Sequence, residues 1–283
     1  MKNGIIAYKN KECEGGAEVE REERRRNMIA KHIKKSDVEI FCFDCIPSTN
    51  LEAKSYAMLK KSGEKAAPAL FVASEQSAGR GRLGRSFLSR RDKGIYMSLL
   101  YFTYEDLSDA VTITTAAAVV VASCLERASG ERMMIKWVND IYTKQGKVAG
   151  ILTETVLTEI GQAVIVGIGI NLGENDFPED LKGIAASVPA LDLERECELI
   201  ARICEGLLVH SSDCQNRSYM EEYRQRMIFV GEETELLRGG ERVGYGKVLG
   251  VDDDGGLLFL PQGEAKPIVV HTGEISVRLA KKQ

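Results

Sequence analysis

Apolar and polar residues alternate over residues 38–45, the period-two pattern of a strand with one buried face. Pro47, Ser48 and Thr49 then supply a turn and a helix cap, and the spacing predicts a helix to about residue 61, closed by Gly63. Residues 69–74 and 94–101 are apolar runs of strand length, and a long apolar helix is predicted from about Leu107 to residue 128. Strands follow at 133–137, 147–155 and 162–171, with helices between residues 193 and 227. Beyond Gly231 the pattern changes to short strands with turn signals. Asp252-Asp-Asp-Gly-Gly256 lies between two of them, 244–251 and 257–260, and predicts a hairpin. The whole reads as an α+β domain followed by a small all-β barrel of about 50 residues.

Residues 1–36 depart from this pattern. They are charge-dense, with the run Glu20-Arg-Glu-Glu-Arg-Arg-Arg26, and hold too few apolar residues for a core of their own. They read as a tail or as an exposed helix laced with ion pairs.

Composition narrows the classes. The chain has 283 residues, 44% hydrophobic and 28% charged, with a net charge of -4, and a pI near 5.7 argues against a broad nucleic-acid or membrane-binding face. No stretch approaches the roughly 20 apolar residues of a membrane span, and no signal peptide is evident, so the cytoplasm is expected. Seven cysteines at 13, 42, 45, 124, 197, 204 and 214 fit a reducing compartment better than a disulfide framework. Cys42 and Cys45 form a CxxC, but on a strand a three-residue offset points them to opposite faces, and no second pair completes a zinc site. His32, His210 and His271 are far apart in sequence, so no metal site is expected.

Against that acidic background one basic segment stands out. From Gly79 to Arg85 three arginines interleave with three glycines, and between residues 80 and 93 Arg80, Arg82, Arg85, Arg90, Arg91 and Lys93 face one acid, Asp92. Glycine lets backbone N–H groups approach a ligand, and arginine offers a planar fork for phosphate or carboxylate. Such a loop suits a lid that folds over an anionic substrate.

Three further clusters bear on chemistry. Ser48, Thr49 and Asn50 sit at a strand-to-helix turn, where a plain N-cap is the simpler reading. Lys136-Trp137-Val138-Asn139-Asp140 is joined through Gln145-Gly146 to Lys147-Val148-Ala149-Gly150-Ile151-Leu152-Thr153-Glu154, so that two strands bring Asp140 and Lys147 together, either as a surface ion pair or as an active-site couple. Val166-Gly167-Ile168-Gly169-Ile170-Asn171 is a strand whose glycines permit close approach and whose end presents an amide. Gln76, just before the arginine loop, can hydrogen-bond a neutral polar ligand.

In this combination and order, over about residues 38–280, the chain resembles the biotin protein ligase (biotin–acetyl-CoA-carboxylase ligase) family, in its monofunctional form without a DNA-binding repressor domain. The resemblance implies a mixed-sheet catalytic domain of the class II aminoacyl-tRNA synthetase and biotin ligase kind at 38–229. An SH3-like C-terminal domain would occupy 230–283, and a charged tail or linker helix 1–37. It implies formation of biotinyl-5′-adenylate from biotin and ATP with Mg2+, then transfer of biotin to a lysine of a carboxyl carrier protein. Carried onto this chain, Ser48, Thr49, Asn50, Gln76, Arg80, Gly81, Arg82 and Lys147 would surround biotin, with Gly150 contributing backbone. Arg80, Arg82 and Arg85 would lie on the loop that closes over the adenylate, with Phe87, Asn139, Lys147 and Asn171 on the nucleotide side.

The chemistry asks for such residues. Biotin's carboxylate must attack the α-phosphorus, and two anions repel, so cations are needed where the charge converges. Arg82 and Lys147 are assigned that role, and Asp140 is the candidate base or positioning group for the acceptor amine. Three residues depart from the family pattern: Pro47 for an aspartate, Phe87 for a tryptophan, and Val138 for a proline.

Competing readings are a lipoate or octanoate ligase on the same fold, a catalytically silent biotin sensor, and an RNA-binding protein using the basic loop. About 37 residues precede the first strand, below the roughly 50 of a folded domain, so a DNA-binding role is not expected, and the acidic pI leaves no nucleic-acid or membrane partner expected. Exposed strand edges could pair two copies into a dimer.

Overall fold

The structure, a computed structural model, describes residues 16–34, 37–103, 110–211, 216–271 and 275–280. Cys13, Cys214 and the expected helix start at Leu107 lie outside the described residues.

The first strand, β1 (Glu39–Ile46), is followed by α2 (Thr49–Leu59), β2 (Ala69–Gln76) and β3 (Gly94–Thr103). A helix α1 (Gly16–His32) precedes them. Next come α3 (Ala110–Ser129), β4 (Met134–Lys136), β5 (Asp140–Tyr142), β6 (Lys147–Thr158) and β7 (Gly161–Asn171), then α4 (Leu193–Ser211) and α5 (Tyr219–Arg226). These strands form one mixed seven-stranded sheet in the order β1-β2-β3-β7-β6-β5-β4. Only β1 and β2 run parallel, joined by the crossover helix α2.

Strand β2 is buried almost throughout because helices cover both faces, which is why it reads as an unbroken apolar run rather than an alternating one. Ala69 and Phe71 face α2, where Ala53 and Ala57 let the helix approach closely. Leu70 and Val72 face the larger core against α3 and α4. Contrary to the sequence expectation, α3 over Val111–Ser129 is long and apolar enough to cross a membrane. Its threonines and serines interrupt the apolar run, and here it is the central core helix, mostly buried.

The N-terminal charged segment also differs from a solvated helix. On α1, Arg25 and Ile29 share one face at i, i+4 spacing, and both are buried against α4 and β1. Arg25 donates to Ser74 Oγ at 3.1 Å and pairs with Glu196 at 3.4 Å, while Glu22 accepts from the Asp44 N–H. The charge run faces water on the opposite side, which is the part composition could show.

A second, antiparallel sheet of five strands follows: β8 (Glu233–Arg238), β9 (Glu241–Val251), β10 (Leu257–Pro261), β11 (Ile268–Val270) and β12 (Ile275–Leu279), in the order β11-β10-β9-β8-β12. The expected hairpin is β9 and β10. Its apolar residues, among them Val248, Leu257 and Phe259, join the same continuous core as the main sheet. The Trp137 indole N–H donates to the Gly255 carbonyl at 2.9 Å, tying the turn between β9 and β10 to the segment after β4, and Ile228 N–H, on the connection between α5 and β8, donates to Ile135 O. Among the described residues, no disulfide joins Cys42, Cys45, Cys124, Cys197 and Cys204.

Candidate functional site

Two adjoining cavities open where the ends of β2, β5, β6 and β7 meet the arginine loop. The deeper, of about 50 Å³, is lined by Ser48, Thr49, Asn50, Gln76, Arg80, Gly81, Arg82, Phe87, Asn139, Lys147, Gly150 and the β6 and β7 backbones. The outer, of about 230 Å³, is lined by Arg82, Arg85, Phe87, Lys136, Asn139, Asp140, Tyr142, Lys147 and Asn171, with Phe177, Leu181 and Ile184 closing it. Every site residue singled out in the sequence lines one or both. Arg82, Phe87, Asn139 and Lys147 stand on the shared wall.

The turn after β1 builds the deep end. Ser48 takes the N-cap position of α2, but its hydroxyl makes no capping bond. Thr49 gives its backbone N–H and its hydroxyl to Gln76 Oε1, at 2.9 and 3.1 Å. Asn50 donates to Glu154 Oε2 at 2.8 Å and to the Leu152 carbonyl at 3.3 Å. It passes so close to β7 that a Cβ at Gly167 would overlap its carboxamide. The glycine therefore serves Asn50, and two positions on, Gly169 serves the Phe87 ring, whose atoms occupy the place of a Cβ.

The cationic end depends on a strand irregularity. Asp140 pairs with Gly150 across β5 and β6, and the register shifts before Tyr142 meets Lys147. Such a bulge re-aims the side chain that follows it. Lys147 consequently runs over Gly150, whose missing Cβ would stand 3.2 Å from the ammonium, and reaches Asp140 Oδ1 at 2.6 Å. Arg82 donates to Asn139 Oδ1 at 3.0 Å, and Asn139 in turn donates to the Ile151 carbonyl at 2.8 Å. Burial holds the Arg82 guanidinium below its ordinary pKa, opposed by the nearby Asp140 charge; an arginine keeps its proton under such a shift. Arg80 reaches Glu154 at 3.9 Å and is half exposed. Arg85 belongs to the outer cavity alone.

Sequence reasoning missed several wall residues. Lys136 sits inside the motif that flagged Asp140, and its ammonium lies 5.9 Å from the Tyr142 ring centre and 6.0 Å from that of Phe229. Burial lowers its pKa, with Asp140 pulling the other way. The Tyr142 phenol is pushed up to about 12 by burial and the Asp140 charge. The wall at Phe177, Leu181 and Ile184 carries no motif at all. The Trp137–Val138 peptide is cis, at the position where the resemblance expects proline.

Known proteins resemble this chain in sequence and in fold. The family model described as "Biotin/lipoate A/B protein ligase family" matches residues 42–171. The "Bifunctional ligase/repressor BirA" of Bacillus spizizenii is 36% identical over 216 residues, 70% of this chain and 63% of that protein, so the match spans under two thirds of that relative. The "Biotin--[acetyl-CoA-carboxylase] ligase" of Paracoccus denitrificans is 31% identical over 240 residues, 81% of this chain and 96% of the relative. Among solved structures, the biotin protein ligase from Aquifex aeolicus in complex with biotin and ATP superposes with a TM-score of 0.69 at 27% identity, covering 86% of this chain and 99% of that one. A relative 31% identical and matched almost end to end settles the kinship: the chain belongs to the biotin protein ligase family.

Proposed function

We propose that this protein activates biotin with ATP and transfers it to a lysine of a biotin carboxyl carrier protein, as a ligase acting in the cytoplasm. One observation carries the reading: Arg82 and Lys147 stand on the wall shared by a small polar cavity and a larger cationic one. Biotin's ring would enter the deep cavity with its carboxylate toward that wall, and the nucleotide would fill the outer one. A carboxylate oxygen attacks the α-phosphorus, the bond to the β-phosphate oxygen breaks, and pyrophosphate leaves. The carrier amine then attacks the acyl carbon, the amide forms, and AMP departs. Arg82 and Lys147 offset the negative charge that gathers in the first step. Asp140, beside Lys147, is placed to take or orient the amine proton in the second.

Asp140 is the one carboxylate lining the outer cavity among the described residues, and it is engaged by Lys147. That does not make a protein metal site, so Mg2+ is assigned to the triphosphate with which it would enter. The five-stranded sheet is read as the family's SH3-like domain, with 38–229 as the catalytic domain and residues up to 37 as linker. On β6, residues past Gly150 have no strand beside them on the β5 side among the described residues. That edge would pair a second copy in a homodimer. No nucleic acid or membrane is assigned as a partner.

Biotin-dependent exchange of labelled pyrophosphate into ATP tests the reading. The native chain should exchange only with biotin, and Lys147→Ala and Arg82→Ala should each lower it by about 100- to 1000-fold. Exchange driven by lipoate instead would move the protein to the lipoate side of the family, and folded native protein with no exchange would defeat the ligase reading.

A further inference from the structure

Ser98 lies in the middle of β3 between Met97 and Leu99, fully buried. Its Oγ is 2.7 Å from Thr49 Oγ1 and 2.6 Å from Asn50 Oδ1. A hydroxyl has one proton to give, and the proton of Thr49 already goes to Gln76 Oε1 at 3.1 Å, an oxygen that also accepts the Thr49 N–H. Gln76 Nε2 then donates to Ser89 Oγ at 2.8 Å, and Ser89 donates to the Phe87 carbonyl at 3.1 Å. Ser98 is the donor to both oxygens, its one proton shared between Thr49 Oγ1 and Asn50 Oδ1, and from Thr49 onward the bonds run in one direction, through Gln76 into the arginine loop.

This ordering fixes what the cavity presents. The nitrogen of Asn50 is engaged by Glu154 and Leu152, and its oxygen faces Ser98. With its oxygen held by Thr49 and one amide hydrogen by Ser89, Gln76 cannot flip without breaking three bonds. Among the described residues, one lone pair on Thr49 Oγ1 and one Nε2 hydrogen of Gln76 stay without a protein partner. They are an acceptor and a donor on adjacent residues, complementary to a ligand N–H beside a C=O. A cyclic urea or lactam carries that pair; a dithiolane carries neither.

We propose that Ser98, with Ser89 at the far end of the relay, is a positioning residue that fixes the hydrogen-bond polarity of the deep cavity and so selects a ring with an N–H next to a carbonyl. This rests on the ligase reading above and adds to it the residues that hold the selective groups in place. Neither serine needs to touch the ligand. A buried pair left without its partner rejects the wrong ligand more strongly than an apolar wall can.

The test is calorimetric titration of the full chain with biotin, with dethiobiotin, which keeps the cyclic urea and lacks the sulfur ring, with lipoate, and separately with ATP. In Ser98→Ala, biotin and dethiobiotin should weaken equally, by about tenfold, while ATP affinity stays as in the native protein. Exchange at saturating biotin should keep its native kcat, so that the loss is in KM alone. Ser89→Ala, on the loop, should give the same selective loss, and it carries the test if Ser98→Ala does not fold. Native biotin affinity in both variants, or equal weakening of biotin and ATP, would overturn the proposal and leave the ligase reading standing. Native protein that binds lipoate and neither cyclic urea would overturn both.

Discussion

The ammonium of Lys147 reaches the Asp140 carboxylate, at 2.6 Å, by crossing the bare backbone of Gly150. Both side chains are partly exposed, and an ion pair in that setting contributes little to stability. Its value is placement: Asp140 holds the cation against the wall between the two cavities until substrate anions arrive. Lys147→Ala should therefore lower pyrophosphate exchange by about 100- to 1000-fold, with the melting temperature barely changed. Asp140→Asn, whose amide oxygen can still accept from the Lys147 ammonium, should leave exchange largely intact and slow transfer to the carrier more than adenylation. Single-turnover assays of the two half-reactions separate these outcomes. Equal loss in both steps for Asp140→Asn would remove it from the amine-handling role.

Gly169 and Phe87 make a second such pair. The ring covers the glycine so closely that an added Cβ would displace it, and Phe87 is also edge-on to Tyr96, with centroids 6.4 Å apart. Gly169→Ala should cost about 1–3 kcal/mol of stability through overpacking. Combined with Phe87→Ala the two costs should fall short of their sum by about 1 kcal/mol or more, because the second change makes room for the first. Urea unfolding of the four proteins in the cycle gives the coupling directly; additive costs would mean that the ring moves aside freely.

The same residues show where sequence reading reaches and where it stops. The glycines of β7 advertise close approach, yet the approaching groups, Asn50 and Phe87, come from distant parts of the chain and only the fold names them. Lys147 and Asp140 could be paired from their strand ends, whereas the bulge that aims Lys147 has no sequence signature. Short β5 escaped notice because three residues carry too little periodicity to register. Helix α1 looked solvated because charge dominates its composition, and its buried stripe is as narrow as Arg25 and Ile29. Ser98 was visible as a hydroxyl in an apolar strand, but its partners lie on a different element.

The Trp137 bond to Gly255 joins a motif at the candidate site to the turn between β9 and β10. Both ends are buried, so removing the donor leaves a carbonyl without a partner. Trp137→Phe should cost about 1–3 kcal/mol and expose the five-stranded sheet to protease before the main sheet opens. Limited proteolysis followed by mass analysis of the fragments checks the order. Loss of the main sheet first would show that the indole is only a packing residue.

Lys136 supplies the pH dependence. Its folded-state pKa is held below the ordinary 10.5, first by burial and then by Lys147 and Arg85, with Asp140 opposing. The unfolded chain thus keeps this proton to higher pH than the folded one, so the group's unfavourable contribution to stability is present at neutral pH and relieved as pH rises through the folded value. Activity should run the other way. Lys136 lines the outer cavity, and losing its charge removes an attraction for the triphosphate. The KM for ATP should therefore climb on the alkaline side while the KM for biotin stays level. Lys136→Arg, which keeps its charge, should move that climb to higher pH, and a profile identical to the native one would place Lys136 outside the nucleotide's reach.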